Sequence, residues 1–278
     1  MKLLIGMATC NRIDLLTMSL SSLAESCYPD DWLISIYDDC SDEFALADLI
    51  SVLPLRSKVT KNHQRIGADA NMHNIFVDFL RTDADALLIA DSDLIYDPSW
   101  HSAATNLISK TDGVLSLFNT YSHSSISIHG DLVEKQSIGG AGTILTRPIV
   151  ASIVGAVGEY NRCFDWRWST FLRRSGIKIF CTTKSYVQHI GWSGFNRREI
   201  GFDYGINFDP STIANACILE KMFEDYMTDL YARRTEIIES IRLPIFTSLD
   251  YRIGNSILRP ARWVRSRAKA LLCYSHKP

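Results

Sequence analysis

Apolar and polar positions alternate along the first hundred residues in a pattern that repeats four times. Leu3 to Ala8 is an apolar run with no polar face, too short for a free-standing helix, and it reads as a strand covered on both sides. After the polar Thr9-Cys10-Asn11-Arg12, the residues Ile13, Leu16, Leu20 and Leu23 recur at helical spacing and predict a helix ending near Tyr28-Pro29. Trp32 to Tyr37 is the second strand, closed by Asp38-Asp39-Cys40-Ser41-Asp42. The acidic residues of that turn are candidates to cap a helix through Phe44, Ala47, Leu49 and Ile50 to Pro54. Lys58 to Lys61 is a short third strand, and Arg65-Ile66-Gly67-Ala68-Asp69 leads into a helix carrying Phe76, Val77 and Leu80. Ala86 to Ala90 is the fourth strand. These units predict a mostly parallel α/β sheet with helices on both faces.

The fourth strand ends in Asp91-Ser92-Asp93. Asp97 then reads as the N-cap, and Pro98 as the first residue, of a helix to Lys110. Val114 to Phe118 is a further strand, residues 119–138 alternate like a hairpin, and Gly139-Gly140-Ala141-Gly142 precedes a strand at Thr143 to Leu145 and a helix from Pro148. Asp165 begins an aromatic, basic helix through Trp166, Arg167, Trp168, Phe171, Leu172, Arg173 and Arg174, with Gly176 as its stop. Lys178 to Cys181 is the last clear strand. Residues 186–210 read as loop, and the pattern from Ser211 to about Ile241 is helical.

Composition adds two constraints. The 278 residues are 46% apolar and 22% charged, with a net charge of −2, which argues against a dedicated nucleic-acid binder. Yet residues 251–278 hold Arg252, Arg259, Arg262, Arg265, Arg267, Lys269 and Lys277 and no Asp or Glu. From Pro260 onward a helix would gather Ile257, Ala261, Val264, Ala268, Leu271 and Leu272 on one face, with Arg259, Arg262 and Lys269 opposite. That layout suits a helix lying in a membrane interface, or one packed on the domain with a solvated basic face; the lack of acids favours an anionic membrane surface. The seven cysteines are odd in number and form no C-x-x-C, which points to a reducing cytosol. Met-Lys-Leu-Leu-Ile-Gly at the start reads as strand, not signal peptide, and no run approaches the ~20 apolar residues of a membrane span.

Asp91 and Asp93 stand at the C-terminal end of a central strand, where open α/β sheets bind ligands, and carboxylates so spaced can aim at one cation. Alone, the pair reads more readily as solvated turn residues, because aspartates crowd strand ends for turn reasons. Four features in order, Thr9-Cys10-Asn11-Arg12, Asp38-Asp39-Cys40-Ser41, Gly67 to Asn71 and Asp91-Ser92-Asp93, resemble the family 2-like glycosyltransferases of the GT-A fold over roughly residues 1–200.

The resemblance implies a Rossmann-like nucleotide-diphospho-sugar transferase domain over 1–210. Its nucleotide-binding half would be about 1–97 and its acceptor half about 98–210, with 211–278 a helical C-terminal extension ending in the basic amphipathic tail. It implies metal-dependent, inverting transfer of a hexose or N-acetylhexosamine from a UDP-sugar donor to a hydroxyl of a glycan or lipid-linked glycan acceptor. The setting would be bacterial surface polysaccharide synthesis at the inner face of the cell membrane. By matching, Thr9, Asn11 and Arg12 line the base pocket, and Asp39 accepts the uracil N3–H or caps a helix. Arg65, Asp69 and Asn71 contact the nucleotide or simply build a loop and N-cap. Asp91 and Asp93 share the ribose and an Mn2+ or Mg2+ ion, with Asp93 the direct ligand; His189 is a third ligand or a loop histidine. Gly191 to Gly194 would let the backbone approach phosphate, and Gly139 to Gly142 the donor sugar. Asp165 matches the general base, although the family's usual preceding Glu is Phe164 here, and Glu159 is the reserve. Trp166 or Trp168 would stack on a sugar ring, the other packing in the core.

Two other classes share some of these features. A nucleotidyltransferase needs a Gly-rich first loop, which Met7 to Arg12 lacks. A binding protein without transferase activity is disfavoured by the intact D-x-D together with Asp165 and His189. A dinucleotide dehydrogenase would need G-x-G-x-x-G after the first strand.

Overall fold

The computed structural model describes residues 1–26, 32–53, 57–158, 163–191 and 203–248, with Ile253, Ser256 and Leu258 beyond them. In chain order, β1 (Leu3–Thr9) leads into α1 (Ile13–Ala24), β2 (Leu33–Asp38) into α2 (Leu46–Ser51) and β3 (Ser57–Lys61) into α3 (Ala68–Leu80). Next come β4 (Ala86–Asp91), the short β5 (Leu94–Tyr96), α4 (Trp100–Ile108) and β6 (Val114–Ser116). A hairpin of β7 (Ser125–His129) and β8 (Leu132–Lys135) precedes β9 (Thr143–Thr146), α5 (Arg147–Val157) and α6 (Phe164–Arg174). The chain continues through β10 (Ile179–Thr182), β11 (Val187–His189) and α7 (Ile213–Thr247).

Nine strands form one sheet in the order β3-β2-β1-β4-β9-β6-β10-β8-β7. All run one way except β8 and β9, which are antiparallel to both neighbours. Side chains alternate across the strands, and this alternation sorts the core into two layers. Leu3, Ile5 and Met7 of β1, with Ala86, Leu88 and Ala90 of β4, pack against Leu16, Leu20 and Leu23 of α1, Leu49 of α2 and Trp100 of α4. Leu4 of β1 and Leu87 and Ile89 of β4 point the other way, against Ile75, Phe76 and Phe79 of α3, Ile149 and Ile153 of α5, and Phe164 and Trp168 of α6. The expected covering of both faces is met.

Several local expectations need correction. The helix after the D-x-D starts at Trp100, two residues later than Pro98; Asp97 instead closes the preceding turn, accepting from Ser99 N–H at 2.9 Å and from Lys184 Nζ at 2.7 Å. Neither Asp38 nor Asp39 caps α2, which begins after Ala45; Asp48 of the helix itself accepts the Ala45 N–H at 2.8 Å. Residues 186–210 are not all loop, because β11 pairs antiparallel with β5 in a second, two-stranded sheet. Gly176 does stop α6: at φ 77° it lets Gly176 N–H reach Arg173 O and Ile177 N–H reach Leu172 O, each at 3.0 Å. The expected ends at Tyr28-Pro29 and Pro54, and all of the basic tail beyond Leu258, lie outside the described residues. The chain divides into two units, Met1–Met222 and Phe223–Pro278. Among the described residues, no helix is long and apolar enough to cross a membrane.

The close approach of α3 to the sheet depends on Gly6. A Cβ there would overlap the Ile75 side chain and stand 3.1 Å from Leu87 Cδ1. Gly6→Ala should therefore overpack this layer and cost about 1–3 kcal/mol. Urea unfolding followed by far-UV circular dichroism measures the loss, and an unchanged midpoint would show that the layer yields freely.

Candidate active site

The strand order reverses between β1 and β4, so the C-terminal ends of β2, β1 and β4 open onto one crevice. The register sets Thr9 opposite Asp38 and Ala8 opposite Asp91. Two loops meet there and are tied to each other. Asn11 and Arg12 both have left-handed backbones, at φ 58° and 57°, which turns the chain sharply off β1. Asn11 N–H donates to Ser41 Oγ at 2.7 Å, and its Oδ1 accepts Asp42 N–H at 3.0 Å. Asp38 accepts from the Ser41 hydroxyl and forms an ion pair with Lys61, whose Nζ is 3.0 Å from Oδ2. Thr9 Oγ1 is buried and has no hydrogen-bond partner among the described residues.

Asp39 is the hub of the next layer. Its N–H donates to Thr9 O at 2.8 Å. Its carboxylate accepts Ile66 N–H and Gly67 N–H, both at 2.8 Å, and Asn62 Nδ2 at 3.1 Å. Asn71 Nδ2 donates to Tyr37 O at 2.8 Å, and Arg65 pairs with Asp42 at 2.7 Å. Asp69 reaches a different element: its Oδ1 accepts the N–H of Phe164 at 3.0 Å, at the first turn of α6. Thr9, Asn11, Asp39, Arg65 and Asn71 are thus brought into one framework, while Asp69 anchors the helix that bears Asp165.

The second sheet completes the metal-type cluster. Pairing of β5 with β11 sets His189 opposite Leu94, and Ile190 N–H donates to Asp93 O at 2.8 Å. Asp91, Asp93 and His189 each offer a ligand atom, all within 4.8 Å of one another. His189 Nε2 is 3.3 Å from Asp93 Oδ1, and Arg12 Nη1 is 3.0 Å from Asp93 Oδ2. Arg12, expected in the base pocket, therefore lies against Asp93. Gly191 is needed for room at the same carboxylate: a Cβ there would overlap it, 2.8 Å from Asp93 Cγ and 3.1 Å from His189 Cε1. Burial, then the charge of Asp93, raises the Asp91 carboxyl to about 6; Asp165 adds to this, against the opposing pull of His189 and Arg12. Two carboxylates and an imidazole, with Asp91 and His189 partly open, fit a divalent cation of the Mn2+ or Mg2+ type that keeps positions free for substrate oxygens.

Asp165 lies in the first turn of α6, after Cys163 in the left-handed region. Its Oδ1 accepts Trp166 N–H at 2.8 Å, and burial raises its carboxyl above the usual range. Oδ2 faces Gly139, where a Cβ would stand 3.9 Å away. Trp168 is core, whereas Trp166 is 53% exposed, its ring 5.6 Å from that of His123. His123 was not legible as a site residue. It hydrogen-bonds Ser137 Oγ through Nδ1 at 2.9 Å, and its Nε2 would stand 3.9 Å from a Cβ at the same Gly139. The one available signal was its place in the polar hairpin before the glycine strip. Glu159 and residues 192–194, including Gly194, lie outside the described residues.

The raised Asp91 gives a pH signature to the metal-free protein. A carboxyl whose folded value lies above its unfolded one supports the fold fully below about pH 4, and that support is lost as pH rises through about 6. Thermal unfolding in chelator should show the wild type losing stability across that window and Asp91→Asn losing less; parallel profiles would contradict the assignment.

The profile described as "Glycosyl transferase family 2" matches residues 4–168. No curated protein matches the chain. Among solved structures, S. aureus TarS 1-349 in complex with UDP is similar at 16% identity and a TM-score of 0.50, over 67% of this chain and 60% of that one. TarS 1-349 in complex with UDP-GlcNAc is similar at 16% identity and a TM-score of 0.49, over 67% and 58%. The match thus spans about three fifths of the TarS 1-349 chain, and at this identity it bears on the fold alone. The family profile covers more than half of the sequence, including both loops, the Asp91–Asp93 pair and Asp165, and the chain belongs to glycosyl transferase family 2, with the GT-A fold.

Proposed function

We propose that the protein transfers a hexose or N-acetylhexosamine from a UDP-sugar to a hydroxyl of a glycan or lipid-linked glycan, with inversion at the anomeric carbon. The observation that carries this is the convergence of Asp91, Asp93 and His189 at the switch point of a family 2 chain. The UDP bound by the similar TarS 1-349 structure supports a UDP-sugar as the default donor. Residues 1–97 would hold the nucleotide, 98–210 the acceptor, and 211–278 would be an extension.

The roles follow from the chemistry of each group. Thr9, with its unpartnered buried hydroxyl, faces the base, and Asn11, Asp39, Arg65, Asp69 and Asn71 shape its pocket chiefly through the loops they fix. Arg12 faces the diphosphate. Asp91, Asp93 and His189 would hold Mn2+ or Mg2+, which when bound supplies Lewis-acid stabilisation of the leaving diphosphate. Asp165 takes the proton of the acceptor hydroxyl as that oxygen bonds to the anomeric carbon. The bond from that carbon to the β-phosphate oxygen breaks, and its electron pair leaves with UDP. Burial makes Asp165 a stronger base than a solvated aspartate. Trp166 offers an exposed ring face one residue from that base.

Asp93→Ala should lose most UDP-sugar turnover and its Mn2+ dependence; full activity in excess chelator would remove the metal reading. Asp165→Asn should lower transfer by about 10²–10⁴-fold while UDP binding by calorimetry persists. Retained anomeric configuration in the product by NMR would exclude the inverting mechanism.

The acid-free segment 251–278 supports peripheral attachment to an anionic leaflet, on the cytoplasmic side of a bacterial membrane, where a lipid-linked acceptor would lie. The full chain should sediment with anionic liposomes at low salt and a chain ending at Asp250 should not. Equal sedimentation would make the tail a packed helix.

A further inference from the structure

We infer that the gap over Gly139 is a hydroxyl pocket for a pyranoside acceptor, in which His123 binds the hydroxyl next to the one that Asp165 deprotonates. The inference rests on the proposed role of Asp165 as base and deepens it, naming the acceptor's shape and a residue that holds it.

Two atoms from different elements define the gap. A Cβ on Gly139 would stand 3.9 Å from Asp165 Oδ2 and 3.9 Å from His123 Nε2, and no other described atom comes within 4 Å. The floor is fixed. Ile138 N–H donates to Ser169 Oγ of α6 at 3.3 Å, and Gly139 O accepts the Thr143 hydroxyl at 2.9 Å. The His123 side is equally built. Its Nδ1 is bonded to Ser137 Oγ at 2.9 Å, which sets the ring plane. Nε2 faces the gap with no hydrogen-bond partner among the described residues. Behind the ring, the ammonium of Lys135, a residue only 1% exposed, donates to His123 O at 3.0 Å and to Thr120 O at 3.1 Å. The Ser122 hydroxyl donates to Asp203 at 3.1 Å. Burying an ammonium costs free energy, and here it holds the loop that carries His123 in one shape.

The chemistry of the gap selects its ligand. Burial lowers the proton affinity of His123 against the opposing pull of Asp203, so the ring is neutral near pH 7. A neutral imidazole with one nitrogen on a serine presents a donor or an acceptor at the other, and a hydroxyl answers either. A carboxylate that deprotonates one hydroxyl, beside an imidazole that binds the next, suits a pair of neighbouring hydroxyls. Trp166, 53% exposed and with its ring 5.6 Å from that of His123, adds an aromatic face to the same site. Neighbouring hydroxyls above an apolar ring face describe a pyranose rather than an isolated alcohol. The rival role is a brace: His123 holds the hairpin to Ser137 and touches no substrate.

The test is transfer from UDP-glucose, UDP-galactose and UDP-N-acetylglucosamine, with Mn2+, to octyl β-glucoside, octyl β-galactoside and octyl N-acetyl-β-glucosaminide. Hydrolysis of the same donors is followed in parallel, in wild type, His123→Gln, His123→Asn and Gly139→Ala. A Gln amide can stand where Nε2 is and an Asn amide where Nδ1 is, so the two substitutions separate the roles. If His123 binds the acceptor, His123→Asn should raise the acceptor KM about tenfold, the worth of one hydrogen bond, with the donor KM not following. His123→Gln should stay closer to wild type; a brace gives the reverse order. Gly139→Ala tests the gap without touching His123. Its backbone is outside the left-handed region and its Cβ meets only ordinary contacts, so its unfolding midpoint should be no lower than wild type. The methyl group nevertheless fills the gap, and transfer should fall at least about tenfold. Circular dichroism checks each variant, and misfolding of one leaves the others to decide. Asn outperforming Gln, a change confined to the donor KM, or wild-type transfer by Gly139→Ala overturns the inference. Donor hydrolysis by the wild type without transfer to any octyl glycoside also overturns it, while leaving the transferase reading standing. Neither hydrolysis nor transfer overturns that reading and this inference with it.

Discussion

Asp93 is a carboxylate held almost out of water, and such a charge persists only where partners compensate it. Its compensation recruits distant parts of the chain: Arg12 from the loop after β1, and His189 from the end of β11. The pairing of β11 with β5 delivers the histidine, and the missing side chain of Gly191 makes the space. Asp91, beside it, has no such ion-pair partner among the described residues, and burial next to Asp93 raises its carboxyl. The raised carboxyl of Asp91 marks a place where a second negative charge is costly beside Asp93, a cost that a cation between the two would relieve.

The same logic orders the loops around the crevice. Polar side chains expected to meet a nucleotide are largely engaged with the backbone. Asp39 organises the turn before α3 through two N–H groups, Asn11 clasps the second loop, and Asn71 holds the end of β2. These bonds fix loop shapes that short Gly- and Asn-containing segments would not hold alone. Asp69 extends the arrangement along one face of the sheet by anchoring the first turn of α6, where His73 and Phe76 of α3 also pack on the Phe164 ring.

The four strand–helix units were legible in the sequence because long elements carry many periodic positions. Runs such as Ala86 to Ala90 have no competing reading once their neighbours are placed. The D-x-D was legible through its position at a strand end. What escaped was short or non-local. β5 and β11 are three residues each, and their pairing joins segments more than ninety residues apart, so no local pattern announces them. Helix starts were misjudged where acidic residues stood near but were engaged elsewhere, as Asp38, Asp39 and Asp97 are. α1 and α6 begin at Arg12 and Cys163 in left-handed conformations, which residue type alone does not suggest. Trp166 and Trp168 could be told apart only once the face of α6 that meets α3 and α5 was known. Arg12 was legible as a site residue, but its contact with Asp93 depends on the fold.

The central claim is that the strand ends gather one site for a divalent cation and a nucleoside diphosphate. It is tested most directly by anomalous diffraction from crystals of the full chain grown with Mn2+ and UDP. The account predicts one strong Mn2+ peak bounded by Asp91, Asp93 and His189, with the UDP phosphates beside it and the uracil toward Thr9. A Mn2+ peak elsewhere, or UDP bound away from the ends of β1, β2 and β4, would contradict it.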